Sequence, residues 1–231
     1  MQPKVFSLID KAVTEFNLIP NGSKIVVGSS GGKDSTLLLE YLANRKKRFS
    51  SDFSFEAVYI QTDFAPPFNA ELLKIIENWK IPFCTLNVDA LKSSKDGKKM
   101  SCYWCSTRRR SALLDFAIKN GFDSIALGHH LDDILETFLM NSLEKGVLST
   151  MKVRFAYEKY PVKIIRPLAY CPVNMIVEHS KNSGWKEITC TCSYQDNSGR
   201  KSARKKLDAL TFGNEKSKWR LFSALKNASL L

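Results

Sequence analysis

Apolar residues recur at helical spacing over residues 5–18, with Phe6, Ile9, Val13 and Phe16 on one face. The run Pro20-Asn21-Gly22 stops that helix. A short apolar run over residues 24–27 predicts the first strand, and a glycine-rich turn leads from it into a helix reaching about residue 44. After the basic turn 45–48, residues 55–61 predict a second strand. Pro66-Pro67 interrupts the chain before a helix over 70–79, and a third strand is predicted over 83–88. A polar, lysine-rich stretch over 92–99 separates it from a helix over 102–120, which Gly121 ends. A fourth strand over 124–127, a helix over 132–143, a fifth strand over 162–165 and a helix over 173–182 follow. The tail beyond residue 198 holds two helix-like segments, 203–211 and 216–225.

Strands alternating with helices predict an α/β fold, a parallel five-stranded sheet with helices on both faces. The chain is expected to form a single domain over 1–231, with its core over about 20–185 and a basic helical segment over 186–231. Apolar residues make up 44% of the chain, enough to build a core and to exclude wholesale disorder. No apolar run approaches the roughly 18 residues of a membrane span. The opening Met1-Gln2-Pro3-Lys4 leads into an amphipathic helix rather than a signal peptide, so a cytoplasmic enzyme is expected.

Charge changes this picture. The net charge is +12, from 35 lysines and arginines against 23 acidic residues, and it predicts an anionic partner. The basic residues cluster at 92–99, at Arg108-Arg109-Arg110 and at 200–206, with Tyr103, Trp104, Tyr194 and Trp219 nearby. Cations for phosphates and aromatics for stacking suit RNA.

The densest chemistry lies in Ser30-Gly31-Gly32-Lys33-Asp34-Ser35, between the first strand and its helix. Gly31 and Gly32 allow a tight turn that offers bare N–H groups to an anion. The helix N-terminus and Lys33 add positive charge, so the turn is a phosphate cradle. It differs from the G-x-x-x-x-G-K-[ST] loop, because serine comes first and aspartate follows the lysine. It resembles the PP-loop of the ATP pyrophosphatases, which adenylate a substrate and release pyrophosphate.

A second constellation, Gly128-His129-His130-Leu131-Asp132-Asp133, follows the fourth strand. Asp132 and Asp133 can cap the next helix or hold Mg²⁺ beside a triphosphate, and the histidines could ligate zinc. Ligands of such sheets bind beyond the strand C-terminal ends. Gln61, the last residue of the second strand, and Asp63 just after it therefore join Ser30 to Ser35, Gly128 and His129 as the expected ATP-binding set. Of the six cysteines, Cys102 and Cys105 stand at a helix start beside arginines, a setting that favours thiolate. With Cys190 or Cys192 they could hold an iron–sulfur cluster, or all four a structural zinc. Cys84 and Cys171 read as packing.

Together these motifs, with Ile165-Arg166-Pro167-Leu168, resemble the TtcA family, the tRNA 2-thiocytidine synthetases, over about residues 20–205. The resemblance implies that ATP and Mg²⁺ adenylate the C2 oxygen of an anticodon-loop cytidine and that sulfur then displaces AMP. It implies a [4Fe–4S] cluster on Cys102, Cys105 and Cys192, with Cys190 as the alternative third ligand. Lys33, Asp34 and Asp132 would complete the catalytic set, with Asp132 and Asp133 on Mg²⁺. Arg166 would contact phosphate or tRNA. The implied partners are tRNA and a sulfur donor, either a cysteine desulfurase or sulfide, and a homodimer is compatible with the resemblance. The rival readings are a 2-thiouridine or lysidine type of PP-loop enzyme and a non-catalytic, zinc-containing RNA-binding protein.

Overall fold

The structure is a computed structural model that describes residues 2–63, 65–89, 102–185 and 198–231, with 102–105 and 198 described at the backbone. The lysine-rich stretch, Cys190, Cys192 and Tyr194 lie outside the described residues. The elements run α1 (Lys4–Glu15), β1 (Ser23–Gly28), α2 (Lys33–Lys46), β2 (Phe53–Thr62), α3 (Ala70–Asn78) and β3 (Phe83–Val88). They continue through α4 (Cys102–Lys119), β4 (Ser124–Ala126), α5 (Leu131–Lys145), β5 (Arg154–Ala156) and β6 (Lys163–Ile165). A 3₁₀ turn (Pro167–Tyr170), α6 (Val173–Asn182), α7 (Ser198–Thr211) and α8 (Glu215–Asn227) complete the order.

The strands form one sheet in the order β3-β2-β1-β4-β6-β5. The first five of these run parallel, with Ile25 beside Ser124 and Ser124 beside Lys163 in register. The sheet therefore has six strands rather than the expected five. The additional β5 pairs antiparallel with β6 at the edge. Its three residues are all exposed, so it carries no alternation that sequence reading could detect.

Period-two alternation along the central strands builds both cores. Ile25 and Val27 of β1 join Phe55 and Ala57 of β2 and Ile165 of β6 on one face, under α1, α2, α3, α5 and α6. Val26, Val58 and Ile125 point to the other face, where Leu113 and Ala117 of α4 cover them. Residues buried on both faces read as continuous apolar runs, as parallel strands do.

The C-terminal helices are held by charge as well as by apolar burial. Leu207, Phe222 and Leu225 reach the main core. Lys218 of α8 places its Nζ 2.7 Å from Asp132 Oδ1 at the start of α5, and both side chains are at least nine-tenths buried. The other carboxylate oxygen, Asp132 Oδ2, accepts the N–H of Val173 at 2.9 Å. Arg204 Nε of α7 donates to Glu136 Oε1 of α5 at 2.8 Å. Removing one member of a buried pair leaves an uncompensated charge. Lys218→Met is expected to lower the unfolding free energy in urea by about 3 kcal/mol, and adding Asp132→Asn to recover most of that loss.

Candidate nucleotide site at the sheet edge

The sheet order reverses between β1 and β4. The chain leaves β1 towards β2 on one side, and leaves β4 towards β6 on the other. Their following loops diverge and open a crevice at the strand C-terminal ends, where doubly wound sheets bind ligands.

The loop after β1 is shaped by hydroxyls and glycine. Gly31 takes φ +76°, a left-handed conformation that side chains resist. Gly32 caps α2, and its carbonyl accepts from Ser35 Oγ and Thr36 Oγ1, each at 3.0 Å. Ser35 Oγ in turn accepts the N–H of Ser30 at 3.2 Å and lies 3.2 Å from Ser30 Oγ. The six residues thus fold into one hydrogen-bonded turn at a helix N-terminus. Lys33 Nζ lies 3.2 Å from Asp34 Oδ2. The second oxygen, Asp34 Oδ1, is buried without a hydrogen-bond partner among the described residues.

The loop after β4 packs directly onto this turn. A Cβ placed on Gly128 would lie 3.0 Å from the backbone of both Asp34 and Ser35. His130 is 4% exposed and sits among three carboxylates. Its Nε2 is 3.9 Å from Asp34 Oδ1 and 3.5 Å from Asp133 Oδ2, and its Nδ1 is 3.8 Å from Asp132 Oδ2. The His130 N–H donates to Asp133 Oδ2 at 3.1 Å. Burial works against the charge on Asp133, but His130 and His129 beside it hold the carboxyl below its ordinary range.

His129 accepts at Nδ1 from Arg166 Nε at 3.3 Å. Burial, and next Arg166, push its pKa down to about 4, so it is a neutral acceptor at neutral pH. Burial and then Arg110 push the Arg166 guanidinium down to about 10.

The structure therefore brings together Ser30 to Ser35, Gly128, His129, His130 and Asp133. Asp132 stands beside them with both oxygens already engaged by Val173 and Lys218. Gln61 ends in its own loop, its amide donating to Ala65 O at 2.6 Å and Thr62 O at 3.2 Å. Thr62 Oγ1 next to it is buried and without a partner among the described residues. Asp63 follows at the end of β2. Cys102 and Cys105 occupy the first turn of α4. Among the described residues, no three histidines, cysteines or carboxylates come together as a metal-holding group. Cys171 is buried in the core and burial pushes its thiol up, while burial and then Glu56 push the Cys84 thiol up to about 11. Sequence reading missed the place of His130 between Asp34 and Asp133, because its three carboxylate neighbours come from two separate motifs.

Three of the side chains expected to meet RNA also have partners within the fold, though Arg204 and Arg200 stay 63% and 45% exposed. Trp219 donates its indole N–H to Tyr170 O at 3.2 Å and packs against the core instead of standing free for stacking. In the basic tail, Arg204 is paired with Glu136, and Arg200 lies 4.0 Å from Asp133.

The close approach at Gly128 yields a test. Gly128→Ala is expected to force the two loops apart, costing about 1–3 kcal/mol of stability and weakening ATP binding in calorimetry, whereas Gly22→Ala, strained at its φ of +77° but with open space around its Cβ position, is expected to cost stability and leave ATP binding unchanged.

Comparisons with known proteins agree with this geometry. A family model of the PP-loop domain matches residues 2–208. The tRNA-cytidine(32) 2-sulfurtransferase 1 of Francisella tularensis subsp. novicida is 34% identical over 226 residues, covering 95% of this chain and 84% of its own. The tRNA-cytidine(32) 2-sulfurtransferase of Pseudoalteromonas atlantica is 36% identical over 199 residues, covering 84% of this chain and 62% of its own. Among solved structures, the U34-tRNA thiolase NcsA from Methanococcus maripaludis, with its [4Fe-4S] cluster, has the same fold at TM-score 0.80. It is 22% identical and covers 97% of this chain and 77% of its own. The NH3-dependent NAD synthetase from Campylobacter jejuni aligns at TM-score 0.54 and 14% identity, covering 98% and 93% of the two chains. The switch-point crevice, its PP-loop and these relatives show that the chain belongs to the PP-loop domain family and, within it, to the TtcA family of tRNA-cytidine 2-sulfurtransferases.

Proposed function

We propose that this chain is an ATP-dependent tRNA sulfurtransferase that exchanges the C2 oxygen of an anticodon-loop cytidine for sulfur. The observation that carries the reading is the meeting of the PP-loop with the His129–Asp133 loop at one switch point, in a chain whose relatives bear that activity in their names.

The chemistry follows from what the oxygen lacks. A carbonyl oxygen at C2 is a poor leaving group. Its attack on the α-phosphorus of ATP forms a C2–O–P linkage and releases pyrophosphate. A sulfur nucleophile then adds at C2, the C2–O bond breaks, and AMP departs with the electron pair. The turn over Ser30 to Ser35 offers backbone N–H groups and the α2 N-terminus to the phosphates, and Lys33 adds a full charge as pyrophosphate leaves.

The donor set fits Mg²⁺. Asp34 Oδ1 is buried without a hydrogen-bond partner among the described residues, and a carboxylate beside phosphate oxygens is the environment that ion prefers. Asp34 and Asp133 would hold it, while Asp132 anchors the helices behind them. Bound there, the ion would neutralise charge on the phosphates.

The cysteines suit a [4Fe–4S] cluster. Cys102 and Cys105 are three residues apart in the first turn of α4, and a helix N-terminus favours thiolate. Cys192 is the proposed third ligand and Cys190 its alternative. Held by these three cysteines, such a cluster would supply the sulfur for the displacement at C2. The sulfur originates from a cysteine desulfurase or from sulfide, and the enzyme works in the cytoplasm.

Mass spectrometry of tRNA nucleosides tests the reading. Cells lacking the gene are expected to lose 2-thiocytidine, and a loss of 2-thiouridine instead would overturn the cytidine assignment. Lys33→Ala is expected to lower thiolation at least about a hundredfold while the fold is retained, the scale of removing one preorganised electrostatic group. Cys102→Ser is expected to abolish thiolation and leave ATP binding intact.

A further inference from the structure

The edge of the sheet carries an aromatic and cationic surface that the reaction described above does not use. β5 and the turn after it expose Phe155 (37%) and Tyr160 (45%). Their rings are joined through Tyr157, with centroids 5.0 Å apart for Phe155–Tyr157 and 5.7 Å for Tyr157–Tyr160, both edge to face. Exposed aromatic rings in series are unusual for a strand edge, where burial or charge normally protects the surface.

Cations surround the rings. Lys152, Arg154 and Lys159 are exposed on the same stretch, against the single carboxylate of Glu158. β5 pairs with β6 so that Arg154 lies beside Ile165, the residue before Arg166. Arg166 closes the inner end of the series: it is within electrostatic reach of Tyr157 and Arg110, donates to His129 Nδ1, and is tied to the Lys152 carbonyl. Arg166 thus links the β5 edge, through the Lys152 carbonyl, to His129 at the nucleotide crevice.

We infer that this edge, Phe155, Tyr157 and Tyr160 with Arg154 and Arg166, is a docking surface for the unpaired nucleotides of an RNA loop. The rings stack bases and the guanidiniums take the intervening phosphodiesters. Stacking needs splayed bases, so the surface selects a loop over a duplex. Its inner end at His129 then hands one base to the crevice. Charge argues against a second copy of this chain as the occupant. Two such edges pairing about a two-fold axis would bring four cations against four, with one carboxylate on each side to offset them. This inference rests on the sulfurtransferase reading, and it names where that enzyme would hold its RNA.

The test uses the full chain and a fluorescent RNA hairpin with an unpaired loop, beside a fully paired duplex of equal charge. The wild type is expected to bind the hairpin more tightly than the duplex. Tyr160→Ala and Phe155→Ala are each expected to weaken hairpin binding about tenfold, the scale of one base–aromatic stack, and to leave duplex binding unchanged. Tyr160→Phe, which keeps the ring, is expected to bind like the wild type, so a merely unfolded variant is recognised. Arg154→Gln is expected to make the dependence of log K on log salt shallower by about one. ATP binding by all four variants is expected to match the wild type. Equal hairpin binding by Tyr160→Ala, Phe155→Ala and the wild type overturns the docking surface while leaving the sulfurtransferase reading intact. Loss of a dimer in sedimentation, with RNA affinity unchanged, overturns it in favour of a protein interface. A wild type that binds neither RNA overturns both readings.

Discussion

The close contact between Gly128 and the first turn of α2 is the constraint on which the site depends. A side chain at that point would lie 3.0 Å from two backbone atoms, so the loops after β1 and β4 touch only because position 128 is bare. Their contact fixes the distance between Asp34 and His130, one from each loop. It also fixes where α5 begins, because Leu131 starts that helix three residues later. From the first turn of α5, Asp133 serves the crevice and Asp132 serves the interior. Through Asp132 the same contact sets the start of α6 and the depth of α8. Nucleotide cradle and C-terminal helices are therefore consequences of one backbone approach.

The positive charge of the chain is sorted by this framework. Interior and half-buried carboxylates are matched with cations: Asp10 with Arg45 and Arg48, Glu15 with Lys226, Asp132 with Lys218 and Glu136 with Arg204. Burial opposes the charge on Asp10, yet Arg48 and its other partners hold the carboxyl below its ordinary range. Pairs of this kind join elements far apart in sequence, such as α1 to α2 and α1 to α8. What they leave over is an excess of cations, and among the described residues part of it stands on the β5 edge beside aromatic rings. An excess placed away from its carboxylates adds little to stability, where exposed pairs contribute only a fraction of a kcal/mol. Its effect is on association with anions.

Elements whose cause is local were legible in the sequence. The bounds of β3 and α6 coincide with expectation, and the PP-loop lies at the strand–helix junction its glycines required. The interrupted apolar runs gave the parallel order its alternating helices, and the phosphate cradle followed from residue type and spacing. What remained hidden depends on partners far along the chain. Nothing local marks Lys218 as buried, because its partner lies 86 positions away. Arg204 and Trp219 read as members of a basic, aromatic tail, and only the fold shows that Arg204 also pairs with Glu136 of α5 and that Trp219 donates to the 3₁₀ turn. β5 escaped notice because its three residues are exposed and gain their strand geometry from β6 alone. In each case residue type stated what a side chain could do, and packing decided what it does.

The two sides of the crevice differ in sign, and that difference orders the substrates. On the inner side, Asp34 and Asp133 flank His130, and an orphaned carboxylate oxygen there favours a cation and, through it, a triphosphate. On the outer side, Arg166 and Arg110 oppose one another's charge, which an anion nearby would relieve. His129 stands at the boundary. Were it charged, it would add to the cationic side and cancel part of the acidic one. Its burial and the neighbouring Arg166 keep it neutral at neutral pH, and its Nδ1 accepts from Arg166 and so fixes the guanidinium at the mouth. The nucleotide is then expected to lie deep and the RNA shallow, with the reacting base passing between them at His129. That order is the one the proposed adenylation would require, because the α-phosphorus would have to face the base while pyrophosphate leaves along the PP-loop.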